Sequence, residues 1–500
     1  MKKDFIEYIK KEFGFDEQEV EKFETSLNTP LKKSIRINTN KISIEDFKIR
    51  ALKNNWTLTA TNLWKNTFYI DREDAREVAL GNTPEHIAGY FYVQEVAASS
   101  SPFYMSDDKI DKSEYLILDM SASPGWKTTQ LQEYYPNSLI VANELDKSRL
   151  KWFFSNLDRM SSLRTVATNY DGRFFKNTPE IFDKILLDAP CSWEWTAFKT
   201  DEALRYWNLK NIKIVSKLQY GLLDSAIKSC KVWWEVIYST CTLNKFENEW
   251  VINKALKKYW DCIEIVPLDP HLTSPKGEEQ DFDSPSPSGE GVRGWGVFMR
   301  NWPHLNFTGW FFVAKIKKIK SLTSPQPSPS QEREQNSKWD NKKEEITKIK
   351  QNIEKVNSTD KKKVLSFFEK SFDYDLSNYW IYNYKWEIHL TDYNLEKVIE
   401  NIFLYKIWVK IWELKDWIFV PNFYSWTFKK FSKNTLEVNK SDLDRLLKWF
   451  ELESPHLTSP EGEEYKDWYY QIIYDDIEMG IAKAKNSKIK SLIPTKLMRN

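Results

Sequence analysis

The chain has 500 residues, enough for two or three domains and a sizeable core, and no apolar run in it approaches membrane-spanning length. Charged residues make up 29% of it, yet the net charge is only +1, which excludes a globally basic nucleic-acid binder and leaves local patches. Its four cysteines (Cys191, Cys230, Cys241, Cys262) show no metal-ligand spacing, and the charged N-terminus does not read as a signal peptide, so a cytoplasmic protein with reduced thiols and no metal is expected.

Residues 1–100 mix helical periodicity ("DEQEVEKFETSL") with short strand-like runs ("SIRINTNK", "TFYI"), a small α+β region. From 101 to 318, apolar β-rich runs alternate with helical stretches: "YLILDM", "SLIVANE", "RTVATNYD", "DKILLDAP", "EVIYSTCT", "WFFVAKI". That rhythm predicts βαβ units and a parallel sheet, an α/β Rossmann-like domain. Residues 319–365 turn Ser/Pro-rich and then Lys/Glu-rich, a linker with one solvated helix, and 366–500 form a smaller region of mixed character. "PHLTSPKGEE" at 270–279 returns as "PHLTSPEGEE" at 455–464; this composition predicts exposed inserts without function, about 270–294 and 454–464.

In an open parallel sheet, ligands bind beyond the carboxyl ends of the strands. Asp119, Glu144, Asp171 and Asp188 stand at four such ends in succession. Any one of them could simply cap the next helix. Together they point to a nucleoside-containing cofactor, with the acid after the second strand suited to a ribose diol. Cys191 in "APCSWEWT" comes just after Asp188, and Cys241 in "IYSTCTLNKFENE" follows a further strand, on the same face. A lone cysteine there is more often an inert packed residue. Two suggest thiol chemistry: a thiolate adding to carbon 6 of cytosine makes carbon 5 nucleophilic enough to take a methyl group, and a base must later remove the carbon-5 proton.

The stretches "LDMSASPGWKTTQL", "NELDKSRL", "LLDAPCSWEWT" and "VIYSTCTLNKFENE" resemble, in order, the motifs of the NSUN/Sun family of S-adenosylmethionine-dependent RNA cytosine-5 methyltransferases. "SIRINTNK" and "HIAGYFYVQE" resemble its N-terminal region, "WPHLNFTGWFFVAKI" its last catalytic strands, and "MGIAKAKNSKIKSLIPTKLMR" the close of the C-terminal PUA-like domain of bacterial ribosomal-RNA members. The resemblance implies a Rossmann-like S-adenosyl-L-methionine-dependent domain between an N-terminal RNA-recognition region and a PUA-like domain at 366–500. It also implies roles. Asp119 and the loop Ser121, Ala122, Ser123, Pro124, Gly125, Trp126 and Lys127 would hold the cofactor, with Glu144 on its ribose and Asp171 on adenine. Asp188 would stand between methyl donor and base, Cys241 would be the nucleophile, and Cys191 would assist breakdown of the adduct. Ser121 departs from the usual cysteine, a small change.

The other departures are of one kind. Glycine is 14 of 500 residues, about 3% against a usual ~7%, while tryptophan appears 23 times. Where the family has glycine, this chain has Trp126, Trp193, Trp195, Trp233, Trp234 and Trp310, with Trp408, Trp412, Trp426 and Trp449 as further candidates. "KDW" at 415–417 and 466–468 stands where Asp-Gly is the expected hairpin turn. The pattern suggests UGA codons read as glycine in the cell and as tryptophan here.

RNA contacts are expected from Lys483, Lys485, Lys488 and Lys490, with Lys496 and Arg499 beyond them, and from Arg36 and Lys41. The expected partner is RNA, ribosomal RNA first and transfer RNA second, with no DNA, no membrane and a monomeric state. A non-catalytic RNA-binding assembly factor is the alternative if the tryptophans are real.

Overall fold

The computed structural model describes residues 3–61, 65–107, 109–192, 194, 207–268, 298–306, 308–322, 353–373, 375–384, 387–391, 393–399, 402, 404–407, 410–415, 418–421, 434–448, 450–453, 468–486 and 488–493. Both Ser/Pro-rich inserts, and Trp193, Trp195, Trp408, Trp426, Trp449, Lys496 and Arg499, lie outside them. The two N-terminal helices are Lys3–Phe13 and Glu17–Asn28, the second capped by Asp16, whose side chain accepts from Glu19 N. Strands β1 (Ser34–Ile37), β2 (Trp56–Ala60), β3 (Thr67–Arg72) and β4 (Phe91–Val93) then make an antiparallel sheet in the order β2-β3-β1-β4.

The apolar runs form the core of a nine-stranded sheet. Strands β5 (Leu116–Asp119), β6 (Leu139–Asn143), β7 (Thr165–Thr168), β8 (Phe182–Asp188) and β9 (Cys230–Thr240) are mutually parallel. Helices cover both faces, which is why the runs are continuously apolar rather than alternating. The expectation of a wholly parallel sheet needs correction at the edges. β10 (Ile263–Val266), β11 (Met299–Asn301) and β12 (Phe311–Lys318) are antiparallel, with β12 inserted between β9 and β10. The chain winds outward through β5, β6 and β7 and returns to place β8 on the other side of β5. That reversal opens a crevice at the carboxyl ends of β5 and β8, where Asp119 and Asp188 stand.

Beyond the nine-stranded sheet come β13 (Ile353–Lys355), β14 (Trp380–Tyr384), β15 (Glu387–Thr391), β16 (Lys406–Ile407), β17 (Lys410–Lys415) and β18 (Ile418–Pro421). All but β16 form one sheet; β16 pairs with β7 at the edge of the nine-stranded sheet. The last sheet, in the order β19-β21-β22-β23-β20, contains β19 (Thr435–Glu437), β20 (Leu452–Glu453), β21 (Tyr469–Tyr474), β22 (Ile477–Lys485) and β23 (Lys488–Ser491). Two readings of the linker are corrected. The C-terminal architecture begins at Ile353, and helix Ser358–Phe372 is no solvated spacer, since it buries Val364, Phe368 and Phe372. The two ends of the chain also share one core, in which Ile35, Ile37 and Phe47 pack with Leu436, Ile472 and Ile489. Arg50 donates to Asp475 at 2.9 Å across that contact.

Candidate active site

The turn after β5 is built from backbone contacts that only small residues permit. Ala122 N donates to Asn143 O at 2.8 Å and Gly125 N to Ala122 O at 2.7 Å. Arg149 and Asn156 donate to the Ser123 and Pro124 carbonyls at 2.7 and 2.9 Å, fixing the loop against helix Lys147–Arg159. Gly125 has φ +104°, and a Cβ there would meet the Phe153 ring at 3.2 Å, so glycine is required. Trp126 then opens helix Trp126–Tyr134.

Asp119 is buried, accepts from Thr128 Oγ1 at 2.6 Å, and is pushed up to about 7, first by burial and further by the nearby Asp188 charge. Glu144 is buried; Oε1 accepts from Asp146 N at 2.9 Å, while Oε2 makes no hydrogen bond and has only Arg149 at 3.4 Å. Asp171 caps the short helix Gly172–Asn177 through Arg173 N and holds the Arg173 guanidinium at 3.0 and 2.5 Å, so the capping role is realised there. Lys127 is buried beside the thiol side: Nζ donates to Asp188 Oδ2 at 2.8 Å, and Ser239 donates to Asp188 Oδ1 at 2.9 Å. The Trp126 indole lies over the same ammonium, 5.0 Å from Nζ to ring centroid, with Phe311 at 4.9 Å on Nζ as well.

The two half-buried free thiols face one another at this rim, near enough for one to bear on the other's ionisation. The Cys191 thiol first, then burial, then the charge of Asp188 hold the Cys241 thiol well above its ordinary range, with Lys127 opposing. The turn carrying Cys241 is tightly tied. Asn248 accepts from Thr240 Oγ1 at 2.6 Å and donates to Thr242 O at 3.0 Å, bracketing the cysteine, whose carbonyl accepts from Trp310 Nε1 at 3.0 Å. Two buried carboxylates, Glu194 and Glu247, lie behind the thiols, and Glu95 lies near Lys127. Among the described residues no group of His, Cys, Asp and Glu could hold a metal.

Two expected RNA contacts are corrected. Arg36 is 0% exposed; it pairs with Glu133 and donates to Gln94, Thr129 and the Trp126 carbonyl, bracing the cofactor-side helix from within. Lys41 spends its ammonium on the carbonyls of Ala88 and Arg159 at 2.6 and 3.0 Å. Lys483, Lys485, Lys488 and Lys490 are exposed, with Lys488 paired to Glu451 at 3.3 Å and Lys483 over the Tyr469 ring. β22 and β23 pair Lys483 with Lys490 and Lys485 with Lys488, so all four share one exposed face. Sequence reasoning missed Glu95, Glu194, Glu247 and Asn248 as site residues, although each lies inside or beside a quoted motif.

The tryptophans divide as well. Trp233 has φ +71° and is 66% exposed, at a bulge where the β8–β9 register shifts between Phe182 and Lys184. A glycine sits there without strain and an indole does not. Trp310 bears no such mark: it is 1% exposed and stacks on Phe23.

A family model described as 16S rRNA methyltransferase RsmB/F matches residues 109–317, and one for the N-terminal domain of 16S rRNA methyltransferase RsmF matches residues 1–96. Ribosomal RNA small subunit methyltransferase F of Shewanella piezotolerans is 30% identical over 485 residues, 96% of this chain and 94% of the relative. The chain belongs to the RsmB/F family. The protein of the same name from Erwinia tasmaniensis is 38% identical over 316 residues, and that match spans 63% of each chain, less than two thirds of the relative's length. A methyltransferase homolog protein from Pyrococcus horikoshii is similar in structure, with TM-score 0.51 and 27% identity over 64% of this chain and 100% of the other. The RsmB/F model covers β5 through Lys317 of β12, which contain every residue of the rim described above except Glu95.

Proposed function

We propose that this RsmB/F member transfers a methyl group from S-adenosylmethionine to carbon 5 of cytosine in RNA, ribosomal RNA above all, through a covalent Cys241–cytosine adduct. The observation that carries the reading is the meeting of the Cys191 and Cys241 thiols beside the Asp188–Lys127 pair at one sheet rim. The Glu144 carboxylate, buried with one oxygen free of hydrogen bonds, fits a ribose diol, and Asp119, the turn 121–125 and Asp171 would hold the rest of the nucleoside and methionine. When bound, S-adenosylmethionine supplies an electrophilic methyl group. Cys241, as thiolate, adds to carbon 6 of the cytosine ring and pushes the electron pair toward carbon 5. Asp188, fixed by Lys127 and Ser239, faces the ring and favours a proton at nitrogen 3 while the adduct lasts. Cys191 then assists removal of the carbon-5 proton; the electrons return to the ring and the Cys241 sulfur leaves. The base must be splayed from any stack to reach this rim, so a structured RNA with an accessible cytosine is the substrate class.

The four-lysine face of β22 and β23 supports reading the C-terminal region as PUA-like and as an RNA contact. The absence of any helix among the described residues long and apolar enough to cross a membrane is compatible with a cytoplasmic site of action.

Trp126 and Trp233 carry the proposal that UGA is read as glycine in the cell. The indole of one crowds Lys127 where the turn would otherwise admit ligand, and the backbone of the other has a conformation that favours glycine. UGG codons at 126 and 233 would end this reading. The glycine form (Trp126→Gly with Trp193→Gly, Trp195→Gly, Trp233→Gly and Trp234→Gly) is the one expected to methylate RNA. Bisulfite sequencing of RNA from cells with and without the gene tests the activity: one cytosine should resist conversion only in cells that carry the gene, and an unchanged pattern would count against it.

A further inference from the structure

The polar network behind the thiols has a definite direction. Glu247 accepts at both carboxylate oxygens: Oε2 from Ser192 N at 2.9 Å and Gln219 Nε2 at 2.8 Å, and Oε1 from Asn244 Nδ2 at 2.7 Å. Gln219 Nε2 also reaches the Pro190 carbonyl at 2.9 Å. Ser192 and Pro190 flank Cys191, whereas Asn244 belongs to the turn after Cys241. Glu194 closes the loop from the other side, accepting from Leu243 N, Asn244 Nδ2 and Trp207 Nε1, each at 2.8 Å. The amide of Asn244 therefore serves both carboxylates with one nitrogen, and five N–H groups from the two cysteine segments and their supports converge on the pair. The Cys241 turn has independent ties through Asn248 and Trp310. The Cys191 segment depends on Glu247 and Gln219 for the bonds to its two neighbours.

We propose that Glu247, together with Gln219, is a positioning residue that clamps the Cys191 segment to the Cys241 turn and so sets the thiol-to-thiol geometry on which release of the RNA adduct depends. This rests on the catalytic reading above for its consequence, though not for its geometry. Two buried carboxylates side by side are costly to assemble, since each is desolvated and each repels the other. Burial raises both from their ordinary values, and the cost is offset by bonds that tie one thiol segment to the other. Replacing Glu247 by Gln turns an amide NH2 toward groups that are themselves donors, so the isosteric change is disruptive too.

The test has two readouts. The first needs neither RNA nor cofactor: diamide takes two electrons and two protons from an adjacent thiol pair, and peptide mapping measures formation of the Cys191–Cys241 disulfide. The wild-type chain should form it readily. Glu247→Ala, Glu247→Gln and Gln219→Leu should slow it about tenfold or more, the scale of losing hydrogen bonds to a charged group. The second uses the glycine form with substrate RNA and S-adenosylmethionine: the same changes should prolong the covalent adduct and lower kcat while KM stays near wild type. Wild-type oxidation and release rates in the variants would overturn the proposal. Should Glu247→Ala fail to fold, Gln219→Leu, which removes the same clamp from the helix side, decides alone. Failure of the catalytic reading looks different: adduct would still form in Cys241→Ala.

Discussion

The two sides of the crevice differ in how completely the chain satisfies itself. On the thiol side, the run from Thr240 to Glu249 assigns polar side chains to bracketing Cys241, anchoring Cys191 and pairing with Arg300, while Lys245 turns to Glu12. On the other side the turn is equally well built as far as Gly125, and then the Trp126 indole lies over the Lys127 ammonium that reaches Asp188. A degenerating enzyme would be expected to lose both sides together. Among the described residues the thiol side keeps its polar ties, as the recoding proposal requires.

The largest expected effect in breaking this contrast is at the turn itself. Calorimetric titration of the chain as written should give little or no heat with S-adenosylmethionine, and Trp126→Gly should tighten binding by about 100-fold or more, near 3 kcal/mol. Micromolar affinity before the change would show that the indole does not stand in the cofactor's place. At Trp310 the expectation reverses: the indole fills a closed aromatic slot, so Trp310→Gly should cost about 3–5 kcal/mol of stability in denaturant melts. A neutral result would extend the glycine reading to that position. Trp233→Gly is smaller and of opposite sign. Relief of the left-handed backbone at a mostly exposed residue should stabilise by about 1–2 kcal/mol.

Proton chemistry sharpens the same comparison. Cys241 is held above its ordinary range, so its thiolate is scarce at neutral pH and alkylation should rise about tenfold per pH unit above 7. A flat profile would mean that another group activates the thiol. Burial, followed by the charge of Glu247, raises Glu194 from 4.5 to about 7. A carboxyl raised on folding binds its proton more tightly in the native state, so its contribution to stability is lost as pH climbs from about 4.5 to about 7. Asp119, raised to about 7, acts in the same window and direction. Glu194→Gln should flatten part of that slope in pH-dependent melts, the smallest of these effects.

Much of the rim was legible because strand ends and cysteines are local signals. "LILD", "LIVAN" and "KILLD" each announce a buried strand and deliver an acid to its carboxyl end, and the structure puts Asp119, Glu144 and Asp188 there. What was not legible depends on distant partners. Arg36 and Lys41 look like exposed cations in "SIRINTNK", but the strand that carries Arg36 is buried on both faces, and both side chains are consumed by residues roughly 50–120 positions away. Glu194 and Glu247 read as ordinary charged residues until their donors, contributed by two cysteine segments and the helix Leu209–Ser229, are brought together. The antiparallel insertion of β12 and the shared core of the chain's two ends are nonlocal in the same sense.

The most direct measurement is a denaturing gel of the glycine form mixed with cytosine-containing ribosomal RNA and S-adenosylmethionine, comparing Cys191→Ala with Cys241→Ala. Cys191→Ala should accumulate a protein–RNA band mapping to Cys241, and Cys241→Ala should give none. A band that persists in Cys241→Ala, or that maps to Cys191, would contradict it.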